Sequence, residues 1–283
     1  MKTHVTERVP QAMLLLAALV VAVLLVSLGS YLLLKGGEVL SVDFLTSIPA
    51  QGMTAGGILT PIIGTVALTL ITAAVSVPIG IGAAVYLSEY ASDNWLTQIA
   101  RAAIRNLAGV PSIIFGLFGL TIFVQGLQLG SSLLSSGLTL GLLSLPYIIT
   151  TSEEAIRAIP RIVRESALAL GATQWEVIRD IILPAATPSI ATGVILSLSR
   201  AAGETAPILF TGATFYLSGN SVGLMQEFMA LPYHLYTLVT QHQAIEQVQP
   251  IAFGTACVLL LTVLLLNLAA ISIRRKYMPS TLL

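Results

Sequence analysis

Charge is what this sequence has least of. Only 26 of its 283 residues carry a formal charge, 13 of each sign, and charged residues make up 9% of the chain. A soluble domain carries about 25%. A chain this long, folded in water, needs a charged skin that these residues cannot supply. Lysine is nearly missing: Lys2, Lys35 and Lys276 are the three. None follows a glycine, which excludes the Gly-Lys-Ser/Thr ending of a phosphate-binding P-loop. The chain therefore does not hold ATP through that motif. A net charge of zero offers no basic surface to nucleic acid. The single cysteine, Cys257, excludes an internal disulfide and leaves the redox compartment open. Asp43, Asp93 and Asp180 all fall outside the apolar stretches, so the paired buried aspartates of an intramembrane protease are missing too.

What is present is apolar length. Hydrophobic residues make up 55% of the chain and mean hydropathy is +0.91. Residues 9–34, 44–88, 106–152 and 247–273 carry no charge at all. A membrane span takes roughly 20 apolar residues, so the gap at 106–152 has room for two spans and a turn. The stretch 185–213 is apolar apart from Arg200 and Glu204. The pattern predicts an all-α integral membrane protein with six transmembrane helices, at about 11–34, 61–87, 107–124, 133–151, 187–212 and 250–273. Lipid is then the first partner, and no nucleic acid is expected.

Orientation follows from Lys and Arg, which favour cytoplasmic loops. One set of loops holds Lys2, Arg8, Arg101, Arg105, Arg157, Arg161, Arg164, Arg179, Arg274, Arg275 and Lys276. The opposite set holds Lys35. Both termini are therefore expected in the cytoplasm, with 35–60 and 213–249 facing outward. The first apolar run is too long for the 7–15-residue core of a cleaved signal, so a retained span is expected. In span four, Gly137 and Gly141 form a close-packing motif. In the outer loop, Gly219-Asn220-Ser221-Val222-Gly223 matches a nucleophile elbow. No strand precedes it, and it reads as a chance match. His234 and His242 share that loop without cysteines or a dense carboxylate set, and read as polar loop residues.

The cytoplasmic loop 152–186 is rich in charge. Thr151 and Glu154 suit a capping box that opens a helix. After Pro160, the residues Ile159, Val163, Ala167 and Leu170 fall on one face, with Arg161, Arg164 and Glu165 opposite. Gly171 breaks that helix. Thr173 and Glu176 suit a second capping box, and Trp175, Ile178 and Ile182 line one face of a second short helix. Pro184 is expected to end it, and Thr187-Pro188 to open span five. Two short amphipathic helices meeting at a glycine corner can lie on the membrane surface or dock into another protein.

Glu165-Ser166-Ala167, then Gly171, then Ile181-Ile182-Leu183-Pro184 resembles the EAA loop of ABC-importer permeases, with Ser166 standing for the middle alanine. The resemblance implies a MetI-like permease fold and a coupling helix at about 161–171. That helix would seat in a separate ATPase subunit. Glu165, Ala167, Gly171, Ile181, Leu183 and Pro184 are the coupling residues so implied. ATP and magnesium then belong to that partner, and no cofactor is expected on this chain. The division implied is a cytoplasmic tail, first span and outer loop at 1–57, and a core of five spans at 58–283.

Arg200 and Glu204 fall near the middle of predicted span five, about 18 Å from Pro188 at 1.5 Å per residue. A charge at that depth costs at least ~2.5–3.5 kcal/mol. Four residues apart, the two can pair, and Gly193, Ser197 and Thr211 continue their face. The pair can be a structural ion pair or part of a substrate path. Arginine suits an oxyanion through its planar fork of donors. Glu204 can accept a hydrogen bond from a protonated oxyanion. Arg200-Ala201-Ala202-Gly203-Glu204-Thr205-Ala206-Pro207 resembles the corresponding stretch of phosphate permease subunits of the PstA type. The run from Asn106 to Leu117 and the run from Met229 to Tyr236 are similar to theirs as well. The resemblance implies a transport subunit and not an enzyme, with Arg200, Glu204 and Ser197 on the phosphate path. The implied partners are a homologous PstC-like permease, a dimer of PstB-like ATPase subunits and a PstS-like phosphate-binding protein, in a bacterial or archaeal inner membrane. A sulfate or molybdate permease, the sister PstC-type subunit, and a channel or carrier without ATPases stay open.

Overall fold

Long apolar stretches are forced into helices, because only a helix satisfies its own backbone N–H and C=O groups inside hydrocarbon. The computed structural model describes residues 3–217 and 223–277. Lys2 and four of the five residues of the elbow-like pattern lie outside them. Among the described residues, five helices are long and apolar enough to cross a membrane. They are α1 (Thr3–Gly36), α3 (Leu59–Tyr90), α6 (Leu133–Arg157), α8 (Gln174–Ala202) and α11 (Ile245–Tyr277). Between them run α2 (Val42–Thr46), α4 (Trp95–Leu107), α5 (Ser112–Gly126), α7 (Arg161–Ala169), α9 (Ala206–Thr211) and α10 (Leu231–Thr240). A small antiparallel hairpin pairs Pro49–Ala50 with Ala55–Gly56.

The sixth expected span, at 107–124, is not one straight helix. Its apolar leg is α5, and α4 meets α5 at an angle of 101°. Gly109-Val110-Pro111 makes the corner, because Pro111 lacks an N–H and pushes Val110 out of helical conformation. Leu107 therefore ends α4. That helix is amphipathic and buries none of its residues. Trp95, Leu96 and Ile99 are exposed along it, the disposition of a helix lying in a membrane interface.

Span five also departs from expectation. Pro184 does not end a short helix, and Thr187-Pro188 does not open a new one. Both prolines lie inside α8, which runs unbroken to Ala202. The turn before Pro184 is widened, with the Leu183 N–H bonded to the Ile178 carbonyl five residues back. That widening gives the proline ring the room a regular turn denies it. The helix breaks instead at Gly203 and restarts at Ala206. Thr151 and Glu154 start no helix either. They sit inside α6, where the Thr151 hydroxyl donates to the Tyr147 carbonyl at 2.9 Å.

The centre of the fold is the seam between α3 and α6. Gly137 and Gly141 lie on it as expected: a Cβ at Gly137 would stand 2.4 Å from Ile71, and one at Gly141 3.3 Å from Val75. Helix α8 closes on α6 through Gly193, whose missing Cβ would lie 2.4 Å from the Thr151 hydroxyl. At the outer edge, α1 leans on α11. Tyr31 meets Phe253 edge to face at 5.7 Å, and the Cys257 thiol points at the Leu32 carbonyl at 3.1 Å.

The start of α6 is capped with care. Ser132 accepts from the Ser135 N–H at 3.2 Å. The Leu133 and Leu134 N–H groups, which have no partner inside the helix, donate to the Gln226 and Leu224 carbonyls at 2.9 Å each. His234 is not the polar loop residue expected. It sits in α10 at 2% exposure, and burial lowers its pKa to about 4. His242 accepts from the Ala244 N–H at Nδ1, so Nε2 is its protonated nitrogen and donates to the Gly52 carbonyl at 2.8 Å. That bond ties the turn between α10 and α11 to the hairpin.

A Cβ at Gly64 would fall 1.9 Å from the Met229 carbonyl oxygen, a backbone atom, whereas Gly29 on α1 has nothing within 4 Å. Gly64→Val should therefore destabilise the purified protein by about 1–3 kcal/mol through overpacking. Gly29→Val should leave its thermal midpoint in detergent nearly unchanged. Equal midpoints for the two variants would contradict this packing.

Candidate translocation and coupling sites

The coupling segment forms as a helix, a corner and a second helix. Pro160 precedes α7 and fixes its own φ at −57°. Gly171 turns the corner at φ +91°, a conformation that costs other residues about 1–2 kcal/mol. Thr173 and Glu176 complete the expected capping box in both directions. Ala167 then faces inward and is buried with Ala84, Ile156, Ile178, Ile182 and Ile190. Ile181 and Leu183 pack against the same cluster. Glu165, Gly171 and Pro184 are exposed. The six expected coupling residues thus divide into three that anchor the segment and three that face outward.

Three neighbours contradict the expected faces. Leu170 is 89% exposed, and Trp175 is exposed as well. Arg164, expected on the solvent face, points inward. It donates to both carboxylate oxygens of Glu89, with Nη2 to Oε1 at 2.8 Å. It also caps the Ile156 and Ile159 carbonyls at 2.8 and 2.5 Å. The reason is supply: carbonyls at and just past the end of α6 offer acceptors, and α3 delivers a carboxylate beside them.

The second site lies where α8 breaks. Arg200 belongs to the last turn of α8, not to the middle of a span. Its guanidinium carbon sits 4.6 Å from the centre of the Tyr147 ring. Tyr147 lies fourteen residues past the start of α6, and its hydroxyl reaches the Ala108 carbonyl at the end of α4, so Arg200 stands beside that corner. Glu204 follows the break, and Arg200 Nε stands 3.6 Å from its Oε1. The arginine side chain is 55% exposed and the glutamate 17%. Ser197 is brought to neither of them. It is buried against α6 and donates to the Ser144 carbonyl at 3.5 Å. Thr211 lies in α9, where its hydroxyl meets that of Ser136 at 2.9 Å.

Residues 76–277 match the family described as the binding-protein-dependent transport system inner membrane component. The chain belongs to this family. It is 33% identical to the probable ABC transporter permease protein YqgI of Bacillus subtilis over 95% of each chain. It is 32% identical to the phosphate transport system permease protein PstA of Xylella fastidiosa, over 88% of this chain and 86% of that one. Among solved structures, a bacterial alginate ABC transporter in complex with an alginate-bound periplasmic protein superimposes with a TM-score of 0.65. That match covers 94% of each chain at 15% identity, and carries the fold alone. The protein is a multi-pass membrane permease, a transport component and not an enzyme.

At one end of this permease the charges form a connected nest. Arg101 donates to Glu153 at 2.8 Å and to the Leu87 carbonyl at 2.6 Å. Arg157 shares Glu153 at 3.0 Å. Arg101, Arg157, Arg161, Arg164, Glu89 and Asp93 line a cleft of about 510 Å³ beside α7. No local pattern pointed to the Arg164–Glu89 or Arg101–Glu153 pairs, whose members are 75 and 52 residues apart. Tyr147 was missed too. An aromatic residue midway along a span is ordinary, and only the fold brings Arg200 over it.

Arg164→Gln should lower the stability of the purified permease by about 1.5–3 kcal/mol, the worth of a charge-assisted hydrogen bond. Glu89→Gln should do the same, and the double variant should cost clearly less than the sum. Thermal midpoints of the four proteins read this directly. Additive losses would mean the two side chains act apart.

Proposed function

We propose that this permease is the PstA-type subunit of an ATP-driven phosphate importer and moves inorganic phosphate inward by alternating access. One observation carries the reading. Beside a broken helix, an arginine keeps its donors free of protein hydrogen bonds among the described residues, with a carboxylate 3.6 Å away. Irregular backbone at membrane depth is tolerated where it lines a cavity or is buried in protein. Discontinuous helices are where transporters place their substrate sites. An arginine fork suits a tetrahedral oxyanion. Glu204 accepts a hydrogen bond from a phosphate that still holds a proton, and repels an anion fully ionised. The likeness to PstA over most of the chain supports phosphate as that oxyanion.

The other parts follow from the same reading. A homologous PstC-like permease supplies the second wall of the path, and a PstS-like binding protein delivers phosphate to the outer face. A pair of PstB-like ATPase subunits binds ATP and magnesium and seats α7. Their contact is the exposed side of the coupling segment, Glu165, Gly171, Leu170 and Trp175, while Ala167, Ile181 and Leu183 carry its motion into the core. Pro184 shapes the start of α8. The arginine-rich end is cytoplasmic by the positive-inside tendency, and both termini share that side. Arg200 and Glu204 are the path residues. Ser197 supports them from the seam with α6.

The test is ATP-dependent uptake of labelled phosphate in proteoliposomes holding all four components. Arsenate should compete and sulfate should not. Arg200→Gln should abolish uptake while the complex still co-purifies. Arg200→Lys should lose most of it, because the bidentate fork is gone. Failure of Arg200→Gln to assemble would make the pair structural, and competition by sulfate would remove phosphate as the substrate. In the same system Leu170→Asp should weaken co-purification of the ATPase at least tenfold. Intact uptake and assembly in that variant would overturn the docking face.

A further inference from the structure

Arg200 is held in an unusual way. Its guanidinium forms no hydrogen bond to protein among the described residues, and its ion pair with Glu204 is long, at 3.6 Å. What fixes it is the Tyr147 ring, 4.6 Å from the guanidinium carbon. A cation over an aromatic face is attracted by the ring's quadrupole. That attraction takes up no N–H group, so the planar donors stay available to an anion. A carboxylate holding the same arginine by two hydrogen bonds would occupy the donors that recognition needs.

The ring is itself fixed. The Tyr147 hydroxyl donates to the Ala108 carbonyl at 2.8 Å, and Ala108 stands at the corner where α4 turns 101° into α5. Pro146 precedes it on α6, and Ser144 one turn earlier meets Ser197 of α8. The ring is thus pinned at both ends, by its own helix and by the corner.

We propose that Tyr147 is the positioning residue of the substrate path. Its ring face presents Arg200 to the oxyanion while leaving the arginine donors free. The inference rests on the reading of Arg200 as a path residue and adds what holds it there.

The experiment is a graded series at position 147 in the four-component proteoliposomes. Tyr147→Phe keeps the ring and loses the tether, and should retain uptake within about threefold. Phenylalanines carrying one, two and three ring fluorines keep the shape and weaken the quadrupole step by step. Uptake should fall with each fluorine, by roughly three- to tenfold across the series, the range set by a cation–π contact. Tyr147→Leu should approach the level of Arg200→Gln. Co-purification of the complex and ATP hydrolysis stimulated by the binding protein should persist throughout. A packing role would give a flat fluorine series, which overturns the proposal. Loss of uptake in Tyr147→Phe also overturns it, because the hydroxyl and not the face would then matter. Arg200→Gln, run in parallel, separates the two readings. If it is inactive and the series is flat, only the role of Tyr147 falls. If it transports normally, the path through Arg200 falls and the proposal falls with it.

Discussion

Hydrocarbon offers no partner to a charge or to an open backbone group, and the structure is arranged around that constraint. Most of the charged side chains with described contacts are gathered at one end, where Arg101, Arg157 and Arg164 each find a carboxylate. The pair of Arg200 and Glu204 stands where α8 also gives up its regular hydrogen bonding. Charge and break are both expensive in lipid. Placing them together confines the cost to one locality, which a single polar cavity can relieve. Arg200 also lies in the last turn of α8, where the free carbonyls make the helix end partly negative. The break therefore stabilises the cation that accompanies it.

The coupling segment depends on the same economy. Nine residues are too few for a helix to persist alone in water, so α7 exists because it is held. Ala167 supplies an apolar contact small enough to bring the backbone close to Ala84 and Ile178. Arg164 then closes the joint, bonding Glu89 of α3, the Ile156 carbonyl of α6 and the Ile159 carbonyl just past it at once. The Gln174 side chain adds a bond to the Glu89 carbonyl at 2.6 Å. A force on α7 thus reaches α3, α6 and α8 through one packed and charged junction. No flexible linker intervenes. The Gly171 corner holds the exposed Leu170 and Trp175 on a rigid turn, which is what transmission to a partner requires.

How much of this was legible depends on how local each signal is. The charge-free stretches marked the spans because membrane length is read directly in residues. The Thr173–Glu176 capping box and the Gly171 corner were legible because each is settled within four residues. Gly137 and Gly141 were legible because their spacing repeats on a helix face. The Thr151–Glu154 box misled for the opposite reason. The same residue types serve inside a helix when the hydroxyl bonds back to the preceding turn. Pro184 misled because the widened turn before it leaves no trace in residue type. Arg164 looked like a solvent residue on a helical wheel, and only the arrival of Glu89, 75 positions away, turned it inward.

Ser197 and Arg200 show where sequence spacing stops being informative. They lie three residues apart, so their side chains point about 60° apart around α8. That angle suffices to put one inside the molecule and the other outside. Ser197 is buried against Ser144 of α6, while Arg200 is half exposed. A single helix thus carries a small-residue packing seam and, beside it, an open edge with a charge. An arginine facing lipid would be costly. Its exposure in the lone subunit therefore calls for a second protein wall opposite α8, across a space wet enough to solvate a cation. On the proposed function a homologous permease meets that need, and the path would then run along the open edge of α8, outside the core of either subunit.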